Sequence, residues 1–167
     1  MARGVIEEVA ADYELAFGRY SGGLLQGHHL EDAEMVLMGT GSIMGLLKSV
    51  SDELRAEGRK VGALKLVSYR PFPTEALAKA LAGAKKVAVF EKAISLGGTG
   101  ILAADLRSGL HGYKGSPEVN SFIVGLGGKD MTPGTIKKAV EMAEAGYVDS
   151  HFMELDEEFV KEAALVL

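Results

Sequence analysis

"EMVLMGTGSIMGLLKSV", residues 34–50, decides how the rest of the chain is read. The apolar run at 34–39 has the length of a buried strand, and Gly39 and Gly41 end it. Ile43, Leu47, Val50 and Leu54 then recur at the i, i+4, i+7, i+11 spacing of one buried helix face. Gly58 closes that helix as the residue just past its C-terminal cap. Strand, glycine turn and helix in this order form the repeating unit of a parallel α/β sheet.

The unit recurs downstream. "VGALKLVSY" (61–69) reads as the second strand, stopped by "RPFP" because proline lacks the ladder donor. A short helix is expected over 74–82, then a third strand at "KVAVFEK" (86–92). "SLGGTG" leads from it into a helix that runs to about Leu110. After the loop "HGYKGSPEV" (111–119), "NSFIVGL" (120–126) is the fourth strand. "TPGTIKKAVEMAEAG" (132–146) opens with Thr132 as N-cap and Pro133 in the first helical position, and Gly146 follows its end. Its buried face is Ile136, Ala139, Val140 and Ala143. Parallel strands need helical crossovers, and this alternation supplies them, so the predicted fold is a three-layer α/β/α sandwich with a mostly parallel sheet.

Three regions follow. Residues 1–33 read as an N-terminal helix, with Val5, Val9, Leu15 and Phe17 partly lining one face, and an irregular glycine-rich junction, "GRYSGGLLQGHHLEDAE" (18–34). Residues 34–146 form the α/β domain. Residues 147–167 carry a tail helix, amphipathic with an apolar end, expected to dock on this domain or on a partner.

At 167 residues one domain with one good core is the expectation. Lys and Arg number 18 against 23 Asp and Glu, a net charge of −5 with no basic stripe, which argues against nucleic-acid binding. The chain has no cysteine, so it offers no disulfide, thiolate zinc site, iron–sulfur ligand or thiol nucleophile. No apolar run approaches the roughly 20 residues of a membrane span, and no signal peptide is visible, so a cytoplasmic location is expected.

Ligands of α/β sheets sit beyond the C-terminal strand ends. Three glycine-rich turns are expected there, each leading into a helix whose first N–H groups favour an anion: Gly39-Thr40-Gly41-Ser42, Gly97-Gly98-Thr99-Gly100, and 125–128 with Gly127, Gly128, Lys129 and Asp130. The first reads G-x-G-x-x-x-G, one residue off the dinucleotide fingerprint, and none is followed by the Gly-Lys-Ser/Thr of a P-loop. Tight turns with positive φ account for these glycines without a ligand. His28 and His29 are adjacent, with no third ligand at helical spacing, and neighbouring residues seldom share one metal geometry. No serine stands in a nucleophile elbow. Residue chemistry alone yields no catalytic constellation and no metal site.

The stretch 31–73, from "EDAEMVLMGTGS" to "VSYRPFP", resembles the C-terminal domain of transketolase-like, thiamine-diphosphate-dependent enzymes. "YRPFP" (69–73), "VFEKAISLGGTG" (89–100) and "FIVGLGGKDMTP" (122–133) narrow the match to the pyruvate:ferredoxin oxidoreductase family. They are similar to the second domain of its alpha subunit, and "FGRYSGGL" followed by "EDAE" resembles the junction entering that domain. The likeness spans about 13–140. Lys129 stands where the family carries arginine, and Glu91-Lys92 where it commonly has an Asp-Arg pair.

The resemblance implies a complex that converts a 2-oxoacid such as pyruvate, coenzyme A and oxidised ferredoxin to acyl-CoA, CO2 and reduced ferredoxin. It implies that thiamine diphosphate, magnesium and iron–sulfur clusters are held elsewhere in that complex, with no cofactor bound by this chain alone. The chain is then expected to be a non-catalytic structural domain, a fragment or split subunit, inactive alone and partnered by the other subunits. Its candidate interface or anion-binding residues are Gly39, Gly41, Ser42, Arg70, Gly97, Gly98, Gly127, Gly128, Lys129 and Asp130. Two alternatives stay open. One is the C-terminal domain of a transketolase or of a 2-oxoacid dehydrogenase beta subunit. The other is a stand-alone anion- or nucleotide-binding module.

Overall fold

The computed structural model describes residues 2–155. Six strands form one sheet in the order β1-β3-β2-β4-β5-β6. They are β1 (Leu25–His28), β2 (Met35–Gly39), β3 (Val61–Leu66), β4 (Lys86–Glu91), β5 (Glu118–Ile123) and β6 (His151–Phe152). All neighbours run parallel except β1, which pairs antiparallel with β3 along the sheet edge. The helices are α1 (Ala2–Phe17), α2 (Ile43–Ala56), α3 (Thr74–Ala80), α4 (Ile101–Leu110) and α5 (Pro133–Ala145).

Strand periodicity sorts the core into two layers. Met35 and Leu37 of β2 face one side with Ala88 and Phe90 of β4 and Phe122 of β5, where α2 and α5 cover them through Leu47, Val50, Ile136 and Val140. Val36 and Met38 face the other side with Leu64, Val87 and Val89, under Leu77 and Leu81 around α3 and Leu102 and Leu106 of α4. The three-layer α/β/α sandwich expected from sequence is the observed fold.

Local signals hold where they were specific. The Thr132 side chain accepts from the Thr135 N–H at 3.1 Å, and Pro133 opens α5. At the end of α2, Gly58 lies at φ +86°. There the Gly58 N–H bonds Arg55 O at 2.9 Å and the Arg59 N–H bonds Leu54 O at 3.0 Å, the paired bonds of a Schellman cap. Gly146 follows α5 in an extended conformation with φ 175°, so it needs no glycine-only backbone.

Two expectations need correction, concerning the junction and the tail. The irregular stretch 18–34 contains β1, whose isolated 4-residue run shows no clean apolar alternation. The expected N-terminal helix is present as α1, with Val5, Val9, Leu15 and Phe17 exposed and only Ala10 buried. The start of the tail region contains β6, which adds to β5, while the helix expected further along lies outside the described residues except for its first turn, where 153–155 are not helical.

Replacing Thr132 by Ala removes the α5 cap and is expected to cost about 1 kcal/mol. Urea unfolding should show a lower midpoint with an unchanged slope, and Thr132→Ser should retain most of the stability.

Candidate functional site

The C-terminal ends of β2, β3 and β4 open into a crevice of about 700 Å³. Thr40, Gly41, Ser42 and Ile43 line it from the β2–α2 turn, Lys65, Val67 and Tyr69 from β3 onward, and Glu91, Lys92 and Ile101 from the β4–α4 segment. Gly39 gives the turn its tightness. A Cβ there would stand 3.0 Å from Ile43 Cγ2 and 3.3 Å from Phe90 O, so backbone and α2 meet only across a glycine. Gly41 lies at φ +66°, and Ser42 precedes α2 with no side-chain cap.

Glu91, the last residue of β4, organises the far wall. Its carboxylate is buried and accepts the Leu102 N–H at 2.8 Å and the Ala103 N–H at 3.1 Å. These are orphan donors of the first turn of α4, so the anion that suits this helix end is supplied by the chain itself. Burial holds the Glu91 carboxyl above its ordinary range, and the N–H groups of Leu102, Ala103 and Ile101 oppose that shift. Gly100 makes the approach possible, because a Cβ there would lie 2.1 Å from Glu91 Oε1.

On the rim, Arg70 pairs with Asp105 at 2.7 Å and lies over the Tyr69 ring at 4.2 Å. The Tyr69 hydroxyl also donates to Asp105. Burial first, and then the Asp105 carboxylate, push the Tyr69 phenol up to about 12.

The third glycine turn is occupied differently. Gly125 at φ +62° begins a single 3-10 turn at Leu126–Gly128, and Gly127 and Gly128 also have positive φ. The Gly125 N–H donates to Glu154 Oε2 at 3.2 Å, and Lys129 Nζ donates to Glu154 O at 2.7 Å. The chain that leaves β6 therefore folds over this loop. Asp130 stays exposed.

The structure thus brings Gly41 and Ser42 to the crevice, puts Gly39 at its base and Arg70 at its rim. Gly97, Gly98, Gly127, Gly128, Lys129 and Asp130 do not line it. Sequence reasoning missed Lys65, Tyr69 and Glu91 as site residues. The usable signal for Glu91 was a carboxylate ending an otherwise apolar strand, nine residues ahead of a glycine that opens a helix.

A family described as pyruvate:ferredoxin oxidoreductase core domain II matches residues 33–136. The chain belongs to this family. It is 42% identical over 161 residues to the pyruvate synthase subunit PorA of Methanosarcina barkeri, covering 93% of this chain and 40% of that one. The PorA of Thermotoga maritima is 41% identical, over 85% of this chain and 36% of its own length. The ketoisovalerate oxidoreductase subunit VorA of Pyrococcus horikoshii is 37% identical, over 89% and 39%. The chain therefore spans about two-fifths of the length of these relatives.

Among solved structures, the 2-oxoglutarate:ferredoxin oxidoreductase of Magnetococcus marinus superposes with a TM-score of 0.54 at 23% identity, over 78% of this chain and 21% of that one. A split-gene transketolase superposes with the same score at 19% identity, over 75% and 42%. Both show the shared fold. Among the described residues no helix is long and apolar enough to cross a membrane.

The crevice of this core domain II does not fit a diphosphate with its magnesium ion. Glu91 is the single carboxylate among the described lining residues, and both of its oxygens already accept backbone N–H groups. Nor can the chain ligate an iron–sulfur cluster through thiolates, since it has no cysteine.

Gly100→Ala is expected to cost about 1–3 kcal/mol by overpacking against Glu91, whereas Gly83→Ala, with open space around it, should change the urea midpoint little. Glu91→Gln places an amide NH2 against backbone donors and should cost about 1–3 kcal/mol. Because burial raises the folded-state pKa, native Glu91 keeps its proton longer than unfolded Glu91, and its contribution declines as pH rises from 4.5. The stability gap between wild type and Glu91→Gln should therefore narrow over that rise, and a gap that widens would contradict the assignment. In a spectrophotometric titration, one of the five tyrosines should resist ionisation until about 12 and vanish from the curve in Tyr69→Phe.

Proposed function

We propose that this chain is a non-catalytic structural and assembly domain of a thiamine-diphosphate-dependent 2-oxoacid:ferredoxin oxidoreductase. The complex oxidatively decarboxylates a 2-oxoacid to acyl-CoA and passes the electrons to ferredoxin. The observation that carries this reading is the core domain II match over residues 33–136, in relatives named as subunits of pyruvate synthase and ketoisovalerate oxidoreductase. The site chemistry supports it: the anion-binding end of α4 is filled by Glu91, and Lys129 holds the chain beyond β6.

On this reading thiamine diphosphate, magnesium and the iron–sulfur clusters reside in other domains or subunits, where coenzyme A and ferredoxin also act. The strand-end loops with Gly97, Gly98, Gly127, Gly128 and Asp130, together with the exposed apolar residues of α1, form contact surfaces for those parts. The setting is the cytoplasm. A second reading, a small-anion pocket, is favoured by one feature: Lys65, Lys92 and Ser42 border the same crevice.

The test is reconstitution. Co-expression with the remaining parts of the complex should give a co-purifying assembly with 2-oxoacid- and coenzyme-A-dependent reduction of ferredoxin, and omission of this chain should abolish it. An assembly equally active without the chain would overturn the proposal. Calorimetry on the isolated chain with thiamine diphosphate, coenzyme A and nucleotides should be silent; micromolar binding of any of them would favour the second reading instead.

A further inference from the structure

His28 ends the edge strand β1 and His29 follows it, and successive residues of an extended chain normally point to opposite faces. Here they do not. His29 leaves the strand at φ +52°, in the left-handed region, and the two rings come to 4.1 Å between centroids. Both Nε2 atoms then reach one oxygen of Asp52 on α2: His28 at 2.7 Å and His29 at 3.2 Å from Oδ1. The third residue lies 24 positions beyond His28, which is why no local spacing announced it.

The backbone that aims these rings is fixed from two sides. A Cβ on Gly62 of β3 would stand 2.5 Å from His29 O and 3.1 Å from His28 O, so the histidine backbone packs directly on a glycine. Beyond it, the Asp32 carboxylate takes the Arg55 guanidinium at 2.8 and 3.1 Å, tying the same loop to α2 one turn past Asp52. The three side chains remain partly open to solvent, with room for further ligands.

We propose that His28, His29 and Asp52 form a surface site for a divalent transition-metal ion of the zinc type. Two imidazole Nε2 atoms set against one carboxylate oxygen present the two nitrogens and the oxygen that one ion would take as ligands. The donor atoms all lie within 4.8 Å of one another. Around zinc, with bonds of about 2.0–2.2 Å, neighbouring donors stand roughly 3.3 Å apart, close to the 2.7 and 3.2 Å that separate the two Nε2 atoms from Asp52 Oδ1. Neutral imidazole with carboxylate suits zinc, cobalt or nickel over magnesium or calcium, and water completes the coordination. The bound ion cross-links the edge strand to α2. The site is independent of the family function proposed above.

The test uses the full, tag-free chain and zinc chloride. Calorimetry should show one ion per chain, and Asp52→Asn or His29→Gln should weaken binding by more than about tenfold, given that loss of even an outer-shell partner costs 10–100-fold. His111→Gln and His151→Gln should bind as wild type. Zinc, and not magnesium, should raise the thermal midpoint. On the unmutated protein, imidazole nitrogen NMR should report zinc-dependent shifts at Nε2 of His28 and His29. Absence of binding, wild-type affinity in Asp52→Asn, or shifts confined to His111 or His151 would overturn the proposal.

Discussion

The structure turns on a carboxylate in an apolar place. Glu91 ends β4, which sits between β2 and β5 in the sheet, and its two oxygens receive the first free N–H groups of α4. Burying an unpaired carboxylate is among the costlier things a fold can do, and leaving helix-start donors buried and unmatched is costly too. Each group offsets the other's penalty, which is why they occur together. The pairing fixes where α4 begins, and so holds residues 92–100 as a short excursion pinned by the bridge between Ile94 and Gly100. Gly100 has no side chain because the carboxylate occupies the space one would need.

That arrangement answers what the glycine-rich turns are for. A helix N-terminus at a strand end is a ready anion site only while its donors are free. At α4 they are taken by Glu91. In the third turn, Gly125 N–H and Lys129 Nζ both serve Glu154. The first turn is the exception: Ser42 caps nothing with its side chain, and Lys65 and Lys92 border the same crevice. Three segments similar in sequence thus differ in what remains available, and the difference lies in partners far along the chain.

What could be read in the sequence follows the same division. β2 and α2 were legible because a buried strand and a one-sided helix impose their periods on neighbouring residues, and Thr132-Pro133 because a helix start is a local matter. β1 was not, since a four-residue edge strand with partly exposed positions needs only its pairing with β3 to exist. The α1 helix was legible too, and its Val5 and Val9, which recur at helical spacing, stay 51% and 58% exposed among the described residues. Glu91 with Leu102, and Asp52 with His28, join residues 11 and 24 apart through tertiary structure alone. Resemblance reached the family because it weighs many such positions together, including ones whose physical role no local rule exposes.

On the proposed reading, this division suits a domain embedded in a larger protein. A sheet that satisfies the donors at two of its three glycine turns from within the chain can be held rigid there without a ligand, so its outer surfaces keep their shape whether or not neighbouring sites are loaded. The α1 helix illustrates the other half of that logic. Phe17 and Leu15 are exposed by 71% and 89%, in a chain that spans two-fifths of its relatives. Apolar side chains so placed gain burial only from surface that the described residues do not supply. Internal satisfaction at the strand ends and unsatisfied apolar surface on α1 are therefore complementary: the first makes the domain a fixed body, and the second gives that body something to hold.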